Sequence, residues 1–436
     1  MTDRLRRAGG FALVASLALA APALGPAMVV PFGLIGLAAV TVSSGPIFDL
    51  FARPGDWEDG RLNGLAGFSL AAAALGLLST MPRAPLPVGV FVATLLILGF
   101  GNLGKEAVGS QTSQPFFTVA GFVAAGFLAG IGGQYLVDLQ LGTPVDWSVI
   151  TFLAIVGALI AALLRELLYE RDDPLVLLSV GLVLWLFVEL VGTVPPVELV
   201  AALVVTVALG AISYGLGTAS VSGMLTGVLL GVLMIVLGGF GWFAVLIAFF
   251  GIGGLSSKFR YGDKEQRGVA EGNDGARGTG NVLANAAVAL VAVFGFAVVD
   301  GEGALATAFL FAFSGSLATA LGDTLSSEIG GLFDNPRLIT TLERVDPGTD
   351  GAVTWQGELA GLTGAGLTGL LSMLVLPLGG LWLAAAIVAC GGVVGMTVDS
   401  LLGATIEGGR LGNQWVNFLA TLSGGLTSTS LAVWLL

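Results

Sequence analysis

Three stretches of this sequence hold the residue types that chemistry requires. The first is KFRYGDKEQRGVAEGNDGARGTGNVLANA (258–286), a dense island of charge in a chain that is only 11% charged. Within it Gly275, Gly278 and Gly280 surround Arg277 just before an apolar, helix-like run. Backbone amides without side chains in the way can close on an anion as a nest. A helix start beyond them adds the positive end of a dipole, and an Arg fork matches phosphate. The segment contains no Walker motif, and it also reads as a flexible solvated loop with incidental charges.

The second stretch is ATALGDTLSSEIGG (318–331). Asp323 and Glu328 flank hydroxyls where an apolar run ends, which are the hard oxygen donors that Mg²⁺ takes alongside substrate phosphates. A helix end capped by hydroxyls is the plainer reading, but acidic residues at a helix C-terminus oppose the macrodipole. The third stretch is GMTVDSLLGATIEGG (395–409), where Asp399 and Glu407 stand two helical turns apart. Asp323 and Asp399, each followed by a hydroxyl residue and Leu, could share one or two metal ions from two helix ends.

The rest of the chain narrows the chemistry available. It has no His and a single Cys, Cys390, which excludes imidazole bases, His-containing triads, disulfide frameworks and cysteine metal clusters. With 55% hydrophobic residues and a mean hydropathy of +0.95, it lacks the polar surface of a soluble domain. Its apolar runs are continuous rather than alternating, so the fold class expected is an all-α polytopic membrane protein of the cell membrane. About fifteen spans are expected, within bounds of roughly 13–17. The opening RLRR before an apolar run also fits a signal peptide or anchor.

Charge placement orients these spans. With a cytoplasmic N-terminus, 16 of the 17 basic residues, Arg171 and Arg410 among them, fall on the cytoplasmic side and only Arg83 outside. All three polar stretches then share one membrane face. The net charge of −12 gives no support for nucleic-acid binding. It fits either a high-salt cytoplasm or ordinary acidic loops.

Residues 1–195 show hydrophobic spans and plain charged turns, with a scaffolding or partner-binding role open. Glu189 is a carboxylate near membrane depth, close enough to a span end to snorkel. From 196 onward polar motifs recur: GTASVSGMLTG (217–227) against GTDGAVTWQGELAG (348–361), and GNVLANA (280–286) against GNQWVNF (412–418). This recurrence points to a parallel internal duplication in residues 196–436. A transporter on such a bundle is an alternative to an enzyme, since Gly238, Gly239 and Gly241 could interrupt one long span. A non-catalytic scaffold is another.

KFRYGDKEQRGVAEGNDGARGTGNVLAN, GDTLSSEIG, PRLITTLERVDPGTDGAVTWQG and DSLLGATIE followed by NQWVNFL resemble, in order and over residues 200–436, the integral membrane family long filed as domain of unknown function 92. That family includes transmembrane protein 19 of animals and a phytyl-phosphate kinase of plants and cyanobacteria; residues 1–195 lie outside the resemblance. It implies a nucleotide-dependent kinase, preferring CTP, that adds a phosphate to an isoprenoid monophosphate such as phytyl, geranylgeranyl or polyprenyl phosphate. It further implies Mg²⁺ held by Asp323 and Asp399 with support from Glu328. Lys258, Lys264 and Arg277 would neutralise phosphates, the Gly275–Asn281 backbone would cradle them, and Asn281 and Asn285 would orient phosphate or ribose.

Overall fold

The computed structural model describes residues 2–169, 172–379, 381–407 and 411–436. Arg171 and Arg410 of the charge partition, and Gly408 and Gly409 of the third stretch, lie outside the described residues. The described residues are mostly helical, with one short β-pair. Among the described residues thirteen segments are long and apolar enough to cross a membrane, so this is an integral, all-α polytopic membrane protein. The two fewer spans than expected have local causes. Pro22 and Pro26 sit in a run, Asp3–Thr41, that bends through short 3₁₀ turns and counts once. The helix Asn63–Leu78 has 16 residues, about 24 Å at 1.5 Å per residue, which is short of a ~30 Å hydrocarbon core.

The chain divides into two compact units, Met1–Pro196 and Val197–Leu436. The first contains α1 (Thr2–Ser16), α2 (Ala21–Leu24), α3 (Val29–Thr41), α4 (Pro46–Phe51), α5 (Pro54–Asp59), α6 (Asn63–Leu78), α7 (Val88–Gly109), α8 (Pro115–Leu141), α9 (Trp147–Leu167) and α10 (Asp173–Leu190). In this unit α7 packs on α1, α8, α9 and α10. The α7–α8 contact depends on small residues: a Cβ at Gly104 would lie 2.3 Å from the Gly121 carbonyl oxygen. The α1 helix packs on α7 with Phe11, Ala12 and Ala15 buried. Glu189 is exposed, one residue before the end of α10.

The second unit runs α11 (Pro196–Gly215), α12 (Val221–Gly238), α13 (Phe240–Lys258), α14 (Tyr261–Gln266), α15 (Thr279–Val298), α16 (Gly303–Gly330), α17 (Trp355–Val375), α18 (Trp382–Ile406) and α19 (Asn413–Leu435). Between α16 and α17, β1 (Arg337–Leu338) pairs antiparallel with β2 (Ala352–Val353). The Gly-rich break at 238–241 separates two helices, each long enough to span, rather than interrupting one. Gly239 makes the turn at φ +91°.

The expected recurrence has a local counterpart. Ser220 caps α12 by accepting from the Gly223 amide at 3.1 Å, and Thr354 caps α17 by accepting from the Gly357 amide at 3.1 Å. Each capped helix opens a series of three long helices, α12–α13–α15 and α17–α18–α19.

At the centre α16 packs on α13, α15, α17, α18 and α19. Its 28 residues measure about 42 Å. Its last turns therefore project beyond a ~30 Å core.

Candidate active site

Glycines bring α16, α18 and α19 close enough to align their polar ends. A Cβ at Gly395 of α18 would lie 2.1 Å from Thr319 Oγ1 of α16, and one at Gly424 of α19 would lie 1.9 Å from the same atom. One turn further along both α16 and α18 stand Asp323 and Asp399. Both carboxyl groups line one cavity, and Asp399 Oδ1 is buried without a partner. Two Asp 76 residues apart in sequence, on two different helices, thus form one acidic pair.

Around this pair the polar ends of the second unit enclose a cavity of about 380 Å³. Asp323, Asp399, Glu328, Arg277, Asn281 and Asn285 all line it. The 347–353 segment forms another wall, pressed so tightly on α18 that a Cβ at Gly351 would meet the Ala404 nitrogen at 2.4 Å. Among the described residues six carboxylates (Glu271, Asp323, Glu328, Asp350, Asp399 and Glu407) face one guanidinium in the lining. A phosphate compound entering so acidic a space needs accompanying cations.

Arg277 is fixed by a motif that carried no site residue in the sequence reading. Its backbone amide donates to the Thr218 oxygen at 3.0 Å, and its own carbonyl accepts from the Ser220 amide at 3.1 Å. Gly223 allows this approach, since a Cβ there would lie 2.0 Å from the Arg277 oxygen. The guanidinium lies over the Phe249 ring at 5.1 Å, and its Nη2 donates to Thr324 Oγ1 at 3.3 Å. Nη1 is buried with no partner. Burial draws the guanidinium below its ordinary value, against the opposing fields of Glu271, Glu328 and Asp323. It remains charged.

The amides follow from the pitch of α15. Asn285 Nδ2 donates to the Asn281 carbonyl at 3.0 Å, while Asn281 Nδ2 donates to Glu271 Oε1 at 3.4 Å. Asn281 Oδ1 is buried without a donor. A guanidinium nitrogen, an amide oxygen and a carboxylate oxygen are therefore all unpartnered at the edge of one cavity. Buried polar groups in that state need an explanation, and a polar ligand supplies one.

Five of the residues expected to handle phosphate do not line the cavity. Lys264 is buried, donating to the Ser256 and Ser257 carbonyls and pairing with Glu328. It neutralises a carboxylate, which leaves its ammonium no open side toward a phosphate. Glu328 accordingly does not join Asp323 and Asp399, and among the described residues no three carboxylates converge to hold a metal. Lys258 donates to the Asp274 carbonyl and lies 5.9 Å from the Tyr261 ring centre. Gly275, Gly278 and Gly280 form no cradle on this cavity: Gly275 turns the chain at φ +76°, Gly278 caps α15, and Gly280 makes room for Gln414.

A two-carboxylate donor set still fits Mg²⁺, which keeps several waters and binds through one or two carboxylates plus substrate phosphates. The unpartnered Asp399 Oδ1 is a donor atom left for it. Sequence reasoning missed Glu271, Asp350, Asn413 and Asn417 as lining residues. The two Asn of GNQWVNF were visible as a repeat of those in GNVLANA, which was the available signal. Burial raises the Glu271 carboxyl above its usual range, as does the nearby charge of Glu328. Glu407 is raised by burial and then by Asp350.

Comparison with known proteins places this site in a family. The integral membrane protein family DUF92 matches residues 204–425, half of the chain and nearly all of the second unit. The chain belongs to that family. It is similar to an uncharacterized membrane protein of Methanocaldococcus jannaschii, at 38% identity over 213 residues covering 47% of this chain and 82% of that protein. An uncharacterized membrane protein of Synechocystis shares 33% identity over 40% of this chain and 66% of its own length. Protein VTE6, chloroplastic, of Arabidopsis thaliana shares 37% identity over 33% of this chain and 43% of that protein. No solved structure matches.

Proposed function

We propose that the DUF92 unit transfers a phosphoryl group from a nucleoside triphosphate, CTP by family resemblance, to an isoprenoid monophosphate, making the diphosphate. The observation that carries this reading is the position of Arg277, which lines two cavities at once. One is the polar cavity of the acidic pair. The other is a smaller apolar groove of about 70 Å³ among α11, α12, α13 and α15, walled by Leu209, Met224, Val228, Phe243, Ile247 and Phe250. An amphiphile with a phosphate head meets both requirements, its hydrocarbon in the groove and its phosphate at the guanidinium.

In the reaction an oxygen of the lipid phosphate attacks the γ-phosphorus. A new P–O bond forms there, the bond to the β–γ bridging oxygen breaks, and the nucleoside diphosphate leaves. Phosphoryl transfer asks chiefly for alignment and charge neutralisation. The attacking phosphate oxygen is already anionic, so a chain without His lacks nothing essential. Asp323 and Asp399 would hold Mg²⁺, which supplies the charge that lets triphosphate enter an acidic cavity. Arg277 binds the acceptor phosphate and keeps it facing the donor. Asn281 and Asn285 orient a phosphate or ribose hydroxyl, and Lys264 holds Glu328 in place. The polar face is cytoplasmic by the distribution of basic residues, where nucleotide is available.

The test is purified protein with geranylgeranyl or phytyl monophosphate, Mg²⁺ and each of the four nucleoside triphosphates in turn, scored for diphosphate lipid. Diphosphate formed with CTP is the expected result. Absence of turnover with every nucleotide would remove the kinase reading.

A further inference from the structure

The first unit, outside the family match, holds a basic pocket of its own. Arg4, Arg7, Arg53, Lys105 and Arg165 line a cavity of about 120 Å³ between the ends of α1, α7 and α9, with Glu106 the one acidic residue among the described residues of its wall. Five of the 17 basic residues of a chain with net charge −12 have been gathered around one small space. Like charges do not assemble without something to answer them.

Part of the answer is internal. Asp173, 1% exposed, pairs with Arg53 and, at 2.9 Å, with Arg165. Lys105 pairs with Glu166 at 2.8 Å. Among the described residues no carboxylate pairs with Arg4 or Arg7; Arg7 instead donates to the Ala52 carbonyl at 2.8 Å. Among the described residues of the wall itself, five cations face the single carboxylate of Glu106. Arg165, whose side chain is 8% exposed, also carries a buried Nε with no hydrogen-bond partner. An unpartnered buried donor in a wall of basic side chains marks a place for an anion with several acceptor oxygens.

We infer that this pocket binds a phosphate-bearing anion, either the headgroup of an acidic membrane lipid or free phosphate. Basic pockets between membrane helices hold acidic headgroups for the same electrostatic reason. The inference stands on the first unit alone and does not depend on the kinase reading.

The experiment uses the full chain, purified in non-ionic detergent and stripped of lipid. Phosphatidylglycerol, phosphatidylcholine and inorganic phosphate are added separately, and the ligand-induced rise in Tm is measured with retained lipid scored by native mass spectrometry. Phosphatidylglycerol is expected to raise Tm more than phosphatidylcholine. The double variant Arg4→Glu/Lys105→Gln is expected to weaken that binding about 10-fold or more, while Arg83→Glu, outside the pocket, leaves it unchanged. Each variant is compared with its own ligand-free Tm, so any loss of folding stability is separated from loss of binding. Competition by millimolar inorganic phosphate identifies a free-anion site, and its failure to compete identifies a lipid headgroup; both support the pocket. Binding of neither probe, or undiminished binding in the double variant, overturns it.

Discussion

Lys264 and Glu328, 64 residues apart, form a buried ion pair that joins the charged loop to the end of α16. The lysine is 1% exposed and also satisfies two carbonyls at the end of α13, Ser256 and Ser257. Removing one partner of such a pair leaves an unanswered buried charge, at about 3–5 kcal/mol. Lys264→Met is therefore expected to lower thermal stability sharply, and Lys264→Met/Glu328→Gln to recover much of the loss. Thermal unfolding in detergent checks this. A wild-type Tm in the single variant, with only the nucleotide KM raised, would instead put Lys264 on phosphate.

Asp323 and Asp399 carry the metal assignment. Asp323→Asn and Asp399→Asn are each expected to lower kcat/KM by at least ~100-fold, the upper end of what outer partners of metal ligands lose. Both proteins should still insert and elute as wild type, because asparagine keeps the volume of the side chain. Measuring the rate against Mg²⁺ concentration makes the test specific. A variant whose lowered rate recovers at high Mg²⁺ has lost metal affinity, and one with near-wild-type rates would rule out the pair.

The acidic pair was legible because its evidence was local: an Asp before a hydroxyl residue and Leu near the end of an apolar run, twice. The segments that cross the membrane were legible for the same reason, since length and hydropathy decide them. The fate of Lys264 was not. Its charge says only that it needs a partner, and whether that is water, phosphate or a carboxylate 64 residues away depends on how α13 and α16 pack. Gly275, Gly278 and Gly280 misled similarly: glycine marks close approach without saying what approaches. At Gly280 it is Gln414. GTASVSG, read as a repeat unit, turned out to pin Arg277 through Thr218 and Ser220.

Glu271 gives a pH test outside the spanning helices. Its carboxyl is raised above the ordinary 4.5 chiefly by burial and then by Glu328, with Arg277 and Lys264 pulling the other way. Between 4.5 and that raised value the folded protein holds more protons than the unfolded chain. Stability contributed by this group is therefore present at low pH and lost as pH rises through the raised value. Glu271→Gln, which keeps an acceptor for Asn281, is expected to remove this slope. Its Tm relative to wild type should climb from acid toward neutral pH; a difference that is flat, or that falls, contradicts the assignment.

Gly253 offers the sharpest separation of positioning from folding. A Cβ there would lie 2.7 Å from Arg277 Nη2, the far end of a long side chain, whereas at Gly223 it would lie 2.0 Å from the Arg277 backbone oxygen. A side-chain tip can swing aside, while a backbone held by hydrogen bonds at both its amide and its carbonyl cannot. Gly253→Ala is thus expected to keep a Tm near wild type but to displace the guanidinium from Thr324 and the cavity. Its kcat/KM should fall toward that of Arg277→Lys, which keeps the charge without the fork, a loss on the order of 100-fold for one misplaced donor. Gly223→Ala should instead lose stability and activity together. Full activity in a well-folded Gly253→Ala protein would mean that the guanidinium is not held where the reaction needs it.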